Sequence, residues 1–206
     1  MSQRHFLQDG AKARTKEVIE AIELQTSAEI VVSVRVRADD YRVAAYRFAF
    51  FAMALAILIL LLIPQTFAPE VIALEAMGAL FAALALATFA SPLLRLLVRP
   101  EQLARKSRTL AHALFHELGI SRTSGRNGIL VFVSLFERQC LVIPDIGVDE
   151  SLLGEPWKEV QAELSAAVQR LDFEAFSAAL QRMGPILGAV MPRAEDDINE
   201  LADEVC

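Results

Sequence analysis

Three carboxylates stand close together in Pro144-Asp-Ile-Gly-Val-Asp-Glu150. Asp145, Asp149 and Glu150 offer hard oxygen ligands, and Gly147 between them allows a tight bend, so this loop could hold Ca²⁺ or Mg²⁺. An ion there would polarise a phosphoryl oxygen and activate water, provided one coordination position stayed open. The plainer reading is a solvated loop whose aspartates bond to nearby backbone N–H groups. The residues themselves leave both readings open, and they supply no visible nucleophile or general base.

The other reactive residue types say less. His112 and His116 are four apart, with Glu117 directly after, so both imidazoles can share a helix face. A zinc-protease helix has the order His-Glu-x-x-His, which is absent, and no third ligand is evident. Two surface histidines are the simpler account. Gly125-Arg-Asn-Gly128 leads into a strand, whereas a phosphate-cradling loop leaves a strand for a helix. Its glycines serve turn geometry instead. Cys140 alternates within a strand pattern and reads as a small core residue. Ser33 and Ser134 have no histidine at a suggestive spacing, so no catalytic triad emerges. Cys140 and Cys206 are the two cysteines, which fits a reducing compartment and gives no disulfide framework.

The elements that position these residues follow from periodicity. Residues 4–25 read as an amphipathic helix with Phe6, Leu7, Ala11, Val18 and Ile22 near one face. Residues 28–36 alternate, with Ile30, Val32, Val34 and Val36 on one side of a strand and Ser33 and Arg35 on the other. Pro100 opens a helix that stops at Gly119. Residues 129–136 are apolar on both faces, the mark of a central strand. Glu137-Arg138 then makes a tight turn into the strand 139–143. Pro156 starts a helix facing inward with Trp157, Val160 and Leu164, and Asp172 caps another broken at Pro185. The tail beyond Pro192 is acidic and reads as solvated.

Between the first strand and the Pro100 helix lies a different kind of sequence. No charged side chain occurs from Phe48 to Pro69, or again from Ala76 to Leu94. A helix needs about 20 apolar residues to cross a bilayer core, and soluble helices of that length carry a polar stripe that these lack. Two spans are expected, at about 46–64 and 71–92, joined by a short turn into a hairpin. Arg35, Arg37, Arg42 and Arg47 precede it, Arg95, Arg99, Arg105, Lys106 and Arg108 follow it, and the turn has no Lys or Arg. Basic flanks stay on the cytoplasmic side, so both termini are expected there. The collar suits anionic lipid headgroups; no aromatic interleaving points to nucleic acid. The net charge of −6 thus mixes a basic collar with an acidic C-terminal half.

Strand, helix, strand is the plan of a βαβ unit, and the hairpin interrupts its crossover. Only an even number of spans returns the chain to the side where the unit can close. The expected organisation is therefore α/β: a small mixed β-sheet packed between helices, with a two-helix transmembrane hairpin inserted in the first crossover. Residues 1–44 and 99–192 form the two parts of that domain, 45–98 the hairpin and 193–206 the tail.

One set of motifs resembles a known family. Thr26-Ser-Ala-Glu-Ile-Val-Val-Ser-Val34, then Thr123 with Asn127-Gly-Ile-Leu-Val-Phe-Val-Ser134, then Glu137-Arg138 and Asp145-Ile-Gly147, is similar to the TPM domain. Trp157, the helix ending at Met191-Pro192, and Asn199-Glu-Leu201 resemble its membrane-bound bacterial branch. The resemblance implies a small mixed sheet between helices and a bacterial inner-membrane location. Plant lumenal relatives are associated with acid phosphatase activity and photosystem repair, and some bind Ca²⁺. Other members are accessory subunits of membrane proteins. Many relatives hold the domain outside the cytoplasm by a terminal anchor, whereas here the spans lie within the domain. Two functions are thus expected: an accessory, assembly or quality-control factor for a membrane complex with a membrane-protein partner, or a divalent-metal-dependent phosphatase at the Asp145 loop. Small residues in the second span, Gly78 with Ala76, Ala79, Ala82, Ala83, Ala85 and Ala87, would allow close helix contact with a partner or within the hairpin.

Overall fold

The computed structural model describes residues 4–65, 67–193 and 201. Two compact units emerge, residues 1–38 with 104–206, and residues 39–103. The chain runs through α1 (Arg4–Leu7), α2 (Asp9–Glu23), β1 (Glu29–Arg35), α3 (Arg42–Leu62), α4 (Pro69–Phe89), α5 (Ser91–Leu97) and α6 (Pro100–Glu117). A single 3₁₀ turn, Ile120–Arg122, leads to β2 (Gly128–Ser134) and β3 (Gln139–Pro144). Three helices follow, α7 (Glu150–Arg170), α8 (Phe173–Gln181) and α9 (Met183–Val190).

In the first unit a three-stranded mixed sheet has the order β1-β2-β3. β1 pairs parallel to β2, Glu29 opposite Gly128, and β2 pairs antiparallel to β3, Ile129 opposite Pro144. The doubly apolar β2 is indeed central, and every residue in it is buried. One face carries the main core, where Ile30, Val32, Val131 and Val133 meet Ile19 and Ile22 of α2, Trp157 and Leu164 of α7, Phe176 of α8 and Leu187 of α9. The other face carries a smaller core, Val31, Leu130 and Phe132 under Ala111, Leu114 and Phe115 of α6. Helices thus cover both faces.

Some boundaries differ from the periodicity for physical reasons. The first helix breaks at Gln8, whose backbone is extended at ψ 147° and whose carbonyl accepts from Ala11 and Lys12. β1 is covered on both faces, so Ser33 is buried rather than solvated. The β2–β3 connection takes four residues, because Ser134 is the last residue paired, opposite Gln139. Glu137-Arg138 is its second half, with Arg138 left-handed at φ 54°. α7 starts at Glu150, six residues before Pro156, across a kink at Gly154 (φ 64°) that keeps proline out of a regular interior.

In the second unit α3 and α4 are each 21 residues long and apolar enough to cross a membrane. Phe51, Leu74 and Phe89 are 71%, 74% and 88% exposed, so these are not the hidden core helices of a soluble domain. The buried side chains of the two helices are small: Ala45 and Ala49 in α3, and Ala76, Ala83 and Ala87 in α4. The alanine pattern therefore divides, with Ala76, Ala83 and Ala87 inward and Gly78, Ala82 and Ala85 outward. The second apolar run ends at Phe89, and Ser91-Pro92 opens the separate short helix α5 rather than closing the span. The acidic tail lies outside the described residues except for Leu201, which is half-buried against the smaller core.

A candidate site at the Asp145 turn

Because Ile129 lies opposite Pro144, the loop entering β2 faces the loop leaving β3. Backbone bonds seal them together: Asp145 N–H donates to Gly128 O at 2.8 Å, and Gly147 N–H to Arg126 O at 2.9 Å. Arg126 is left-handed at φ 51°, which turns its side chain back over the turn. Its guanidinium forks onto Asp145, Nε to Oδ2 at 2.6 Å and Nη2 to Oδ1 at 2.9 Å. Oδ1 also accepts the Ile146 N–H at 2.8 Å. The Asp145 side chain is 4% exposed while Arg126 is 45% exposed, so the carboxylate is enclosed and its cation faces water. The Arg126 hydrogen bonds hold the Asp145 carboxyl below its ordinary range against the opposing effect of burial. The Ile146 N–H and the charges of Arg126 and His116 add to that lowering.

The other two carboxylates face elsewhere. Asp149 is the N-cap of α7, where Oδ1 accepts Ser151 N–H at 3.0 Å and Ser151 Oγ–H at 2.6 Å. Those bonds lower its pKa. Glu150 Oε2 accepts the Trp157 indole N–H at 2.8 Å and Gln161 Nε2–H at 3.2 Å, tying the start of α7 to its own second turn. Among the described residues no three His, Cys, Asp or Glu side chains gather so as to hold a metal ion. The donor set does not fit a hard cation as arranged: a guanidinium fills the position an ion would take on Asp145, and the other two carboxylates serve helix α7. Arg126 and the two backbone bonds join the Asp145 turn to the loop that enters β2.

The remaining motif residues have comparable tasks. Asn127 donates from Nδ2 to Ser27 O, and Glu29 N–H donates to Asn127 O at 3.3 Å, fixing the start of β1 against β2. Thr26 Oγ–H donates to Met191 O at 2.7 Å, which fastens that same start to the end of α9. Gly128 has no room for a side chain, since a Cβ would lie 2.6 Å from Ile120 O. At the opposite end of the sheet the buried Glu137 accepts Ala38 N–H at 2.9 Å and Ser134 Oγ–H. Arg138 donates to Gln169 O at 3.1 Å, reaching across to α7. His112 and His116 lie exposed on α6. Burial pushes the Cys140 thiol up to about 12, so it is not a thiolate at neutral pH.

Two surface cavities lie elsewhere in this unit. One, of about 300 Å³, is lined by Glu20, Glu23, Thr26, Glu29 and Arg193 among others. The second, of about 320 Å³, is lined by residues that include His5, Gln8, Arg14, Phe173 and Glu174. Neither includes Asp145, Asp149 or Glu150. The partner that sequence reasoning missed is Arg126. The signal was the hairpin register, which sets the residues before Gly128 opposite those after Pro144.

The sequence matches no family model. No curated protein matches it either. In three dimensions the chain is similar to the NMR structure of BA42 protein from the psychrophilic bacterium Bizionia argentinensis. The TM-score is 0.56 at 14% identity, over 96% of this chain and 92% of the other. At that identity the likeness establishes a shared small α/β fold.

Proposed function

We propose that this chain is a multi-pass protein of a bacterial cytoplasmic membrane with both termini in the cytoplasm. In this reading its TPM-like domain is an accessory factor that assembles, stabilises or quality-controls a membrane complex. The observation that carries the proposal is the closure of the Asp145 turn. Asp145 is neutralised by Arg126, and Asp149 and Glu150 are occupied in shaping α7, so the carboxylates that would serve hydrolysis serve architecture. No observation favours the metal-dependent phosphatase over this reading. The apolar exteriors of α3 and α4 support placement in a lipid bilayer. The arginines at 35, 37, 42 and 47 and the basic residues from 95 to 108 support the orientation. The motif resemblance supports the accessory role.

The test is purification of the tagged chain from its native membranes in mild detergent. A membrane protein should accompany it in fixed ratio, and the pairing should be lost when residues 45–98 are replaced by an unrelated two-span hairpin. Recovery of the chain alone, under several growth conditions and in two detergents, would overturn the accessory reading. Reporter fusions after residue 66 and at the C-terminus test topology separately; activity of a cytoplasmic reporter at residue 66 would overturn the orientation.

A further inference from the structure

Several exposed cations of the first unit sit beside carboxylates. Arg14 pairs with Glu17 and Lys16 with Glu20 on α2, Lys158 pairs with Glu155 on α7, and Arg182 at the end of α8 pairs with Glu163 of α7. Helix α6 is different, for it carries no Asp or Glu between Glu101 and Glu117. Arg105, Arg108, His112 and His116 recur at i, i+3, i+7 and i+11, and all four are exposed. They form one stripe about 17 Å long, opposite the side on which Ala111 and Leu114 pack into the smaller core. Arg122 extends the stripe: its Cδ lies 3.6 Å from where a Cβ on Gly119 would sit, three residues past His116. Among the described residues, Arg105, Arg108 and Arg122 form no ion pair.

An uncompensated basic stripe calls for an anionic partner, and two observations choose among such partners. No large apolar side chain is exposed from residue 98 to residue 145, so the stripe lacks the apolar and aromatic anchors that protein interfaces use. Only Val98 and Arg99 separate α5 from α6. At about 3.3 Å per extended residue and 1.5 Å per helical one, Arg105 stands no farther than roughly 18 Å along the chain from Leu97. The anions supplied at the surface of a bilayer are lipid phosphates. Guanidinium groups fork onto phosphate oxygens and imidazole N–H groups donate to them, contacts made at headgroup depth without insertion. We propose that the outward face of α6, through Arg105, Arg108, His112, His116 and Arg122, is a binding surface for anionic phospholipid headgroups. It rests on the membrane placement proposed above, and it assigns the choice of lipid to one helix face within the basic collar.

The test uses the full chain with Cys206→Ser and Ala113→Cys, a dye on the thiol at 113, in nanodiscs of phosphatidylcholine alone or mixed with phosphatidylglycerol. Ala113 is exposed beside the stripe, and Cys140 is buried with its thiol pushed up to about 12, so the dye goes to position 113. A quencher carried on lipid headgroups reports how often the α6 face is docked. Quenching should be stronger in discs that contain phosphatidylglycerol and should weaken as salt rises. Each basic side chain at an anionic surface contributes roughly fivefold, so Arg105→Gln with Arg108→Gln should lower the docked-to-free ratio about 25-fold. Both positions are exposed and glutamine favours helix, so the fold is kept. Arg14→Gln on α2, whose cation is already paired, should leave quenching unchanged. Equal quenching in the two kinds of disc, or no loss in the double variant, overturns the proposal and leaves the membrane placement standing. A co-purifying protein lost in the double variant, with no lipid dependence, assigns the stripe to a protein instead. A chain that does not enter the discs overturns both the proposal and the placement.

Discussion

Gly147→Ala asks whether the Asp145 turn is as tightly closed as its contacts imply. A Cβ at this position would lie 2.3 Å from Gly125 O and 2.6 Å from Arg126 O. Both neighbours are backbone atoms, so no side-chain rotation relieves the clash. One loop must withdraw from the other by the better part of an ångström. That movement sacrifices the Gly147 N–H bond to Arg126 O, a loss of about 0.5–1.5 kcal/mol. Overpacking itself costs about 1–3 kcal/mol more. The sum is a destabilisation of roughly 2–4 kcal/mol. Residues 1–38 and 104–206 make a unit of 141 residues. For that size each kcal/mol moves the melting temperature by about 3–5 °C, so a fall of about 6–20 °C is expected. Trp157 is the chain's one tryptophan and lies buried in the main core, so its fluorescence reports unfolding of this unit in detergent. Gly10→Ala is the matched control: a Cβ there meets nothing within 4 Å, and the melting temperature should hold or rise. A Gly147→Ala variant that melts within a degree of the parent would refute the closed turn.

Three further outcomes follow from the same geometry. Asp145 has a folded pKa below its unfolded value of about 3.9, so its stabilisation is complete above that pH and is lost as pH falls through the lower folded value. Melting temperature measured from pH 6 down to pH 2 should therefore drop steeply at the acid end, and Asp145→Asn should start lower and drop less; parallel curves would contradict the linkage. Saturating Ca²⁺ or Mg²⁺ should leave the parent's melting temperature unchanged, whereas an ion at 100 times its Kd would add about 2.7 kcal/mol; a rise of several degrees that vanishes in Asp149→Ala would restore the metal reading. Glu137→Ala leaves the Ala38 N–H and the Ser134 hydroxyl without this acceptor. It should cost about 1–3 kcal/mol and speed hydrogen exchange at Ala38, and unaltered exchange would mean that Glu137 does not hold the end of β1.

Much of this was legible in the residues. The doubly apolar run 129–136 gave a central strand because only full cover on both sides tolerates it. The order strand, helix, strand implied a βαβ unit and hence a parallel pair, and the register of β1 with β2 bears this out. Asp172 accepts from Ala175 N–H at 3.1 Å as the cap its type and place suggested. What sequence hid was pairing across space. Asp145, Asp149 and Glu150 look like one cluster in the text because they are neighbours along the chain. Their partners come from 19 residues upstream, from a helix N-terminus and from an indole seven residues on. The burial of Ser33 was equally invisible, since a lone serine in an alternating strand gives no hint that both faces of the strand will be covered.

The parallel pairing of β1 with β2 also sets a timetable. Glu29 meets Gly128, 99 positions further along the chain. At a synthesis rate of about 5–20 residues per second, β1 waits roughly 5–20 s before its partner exists. During that interval the ribosome delivers α3 and α4, two apolar helices of 21 residues each, while Ile30, Val31 and Val32 have no sheet to join. A nascent strand with that composition is prone to pair with whatever edge it meets. Cells short of chaperones that shield newly made segments should therefore lose this chain to aggregation during synthesis, even though the finished fold leaves none of those three side chains exposed.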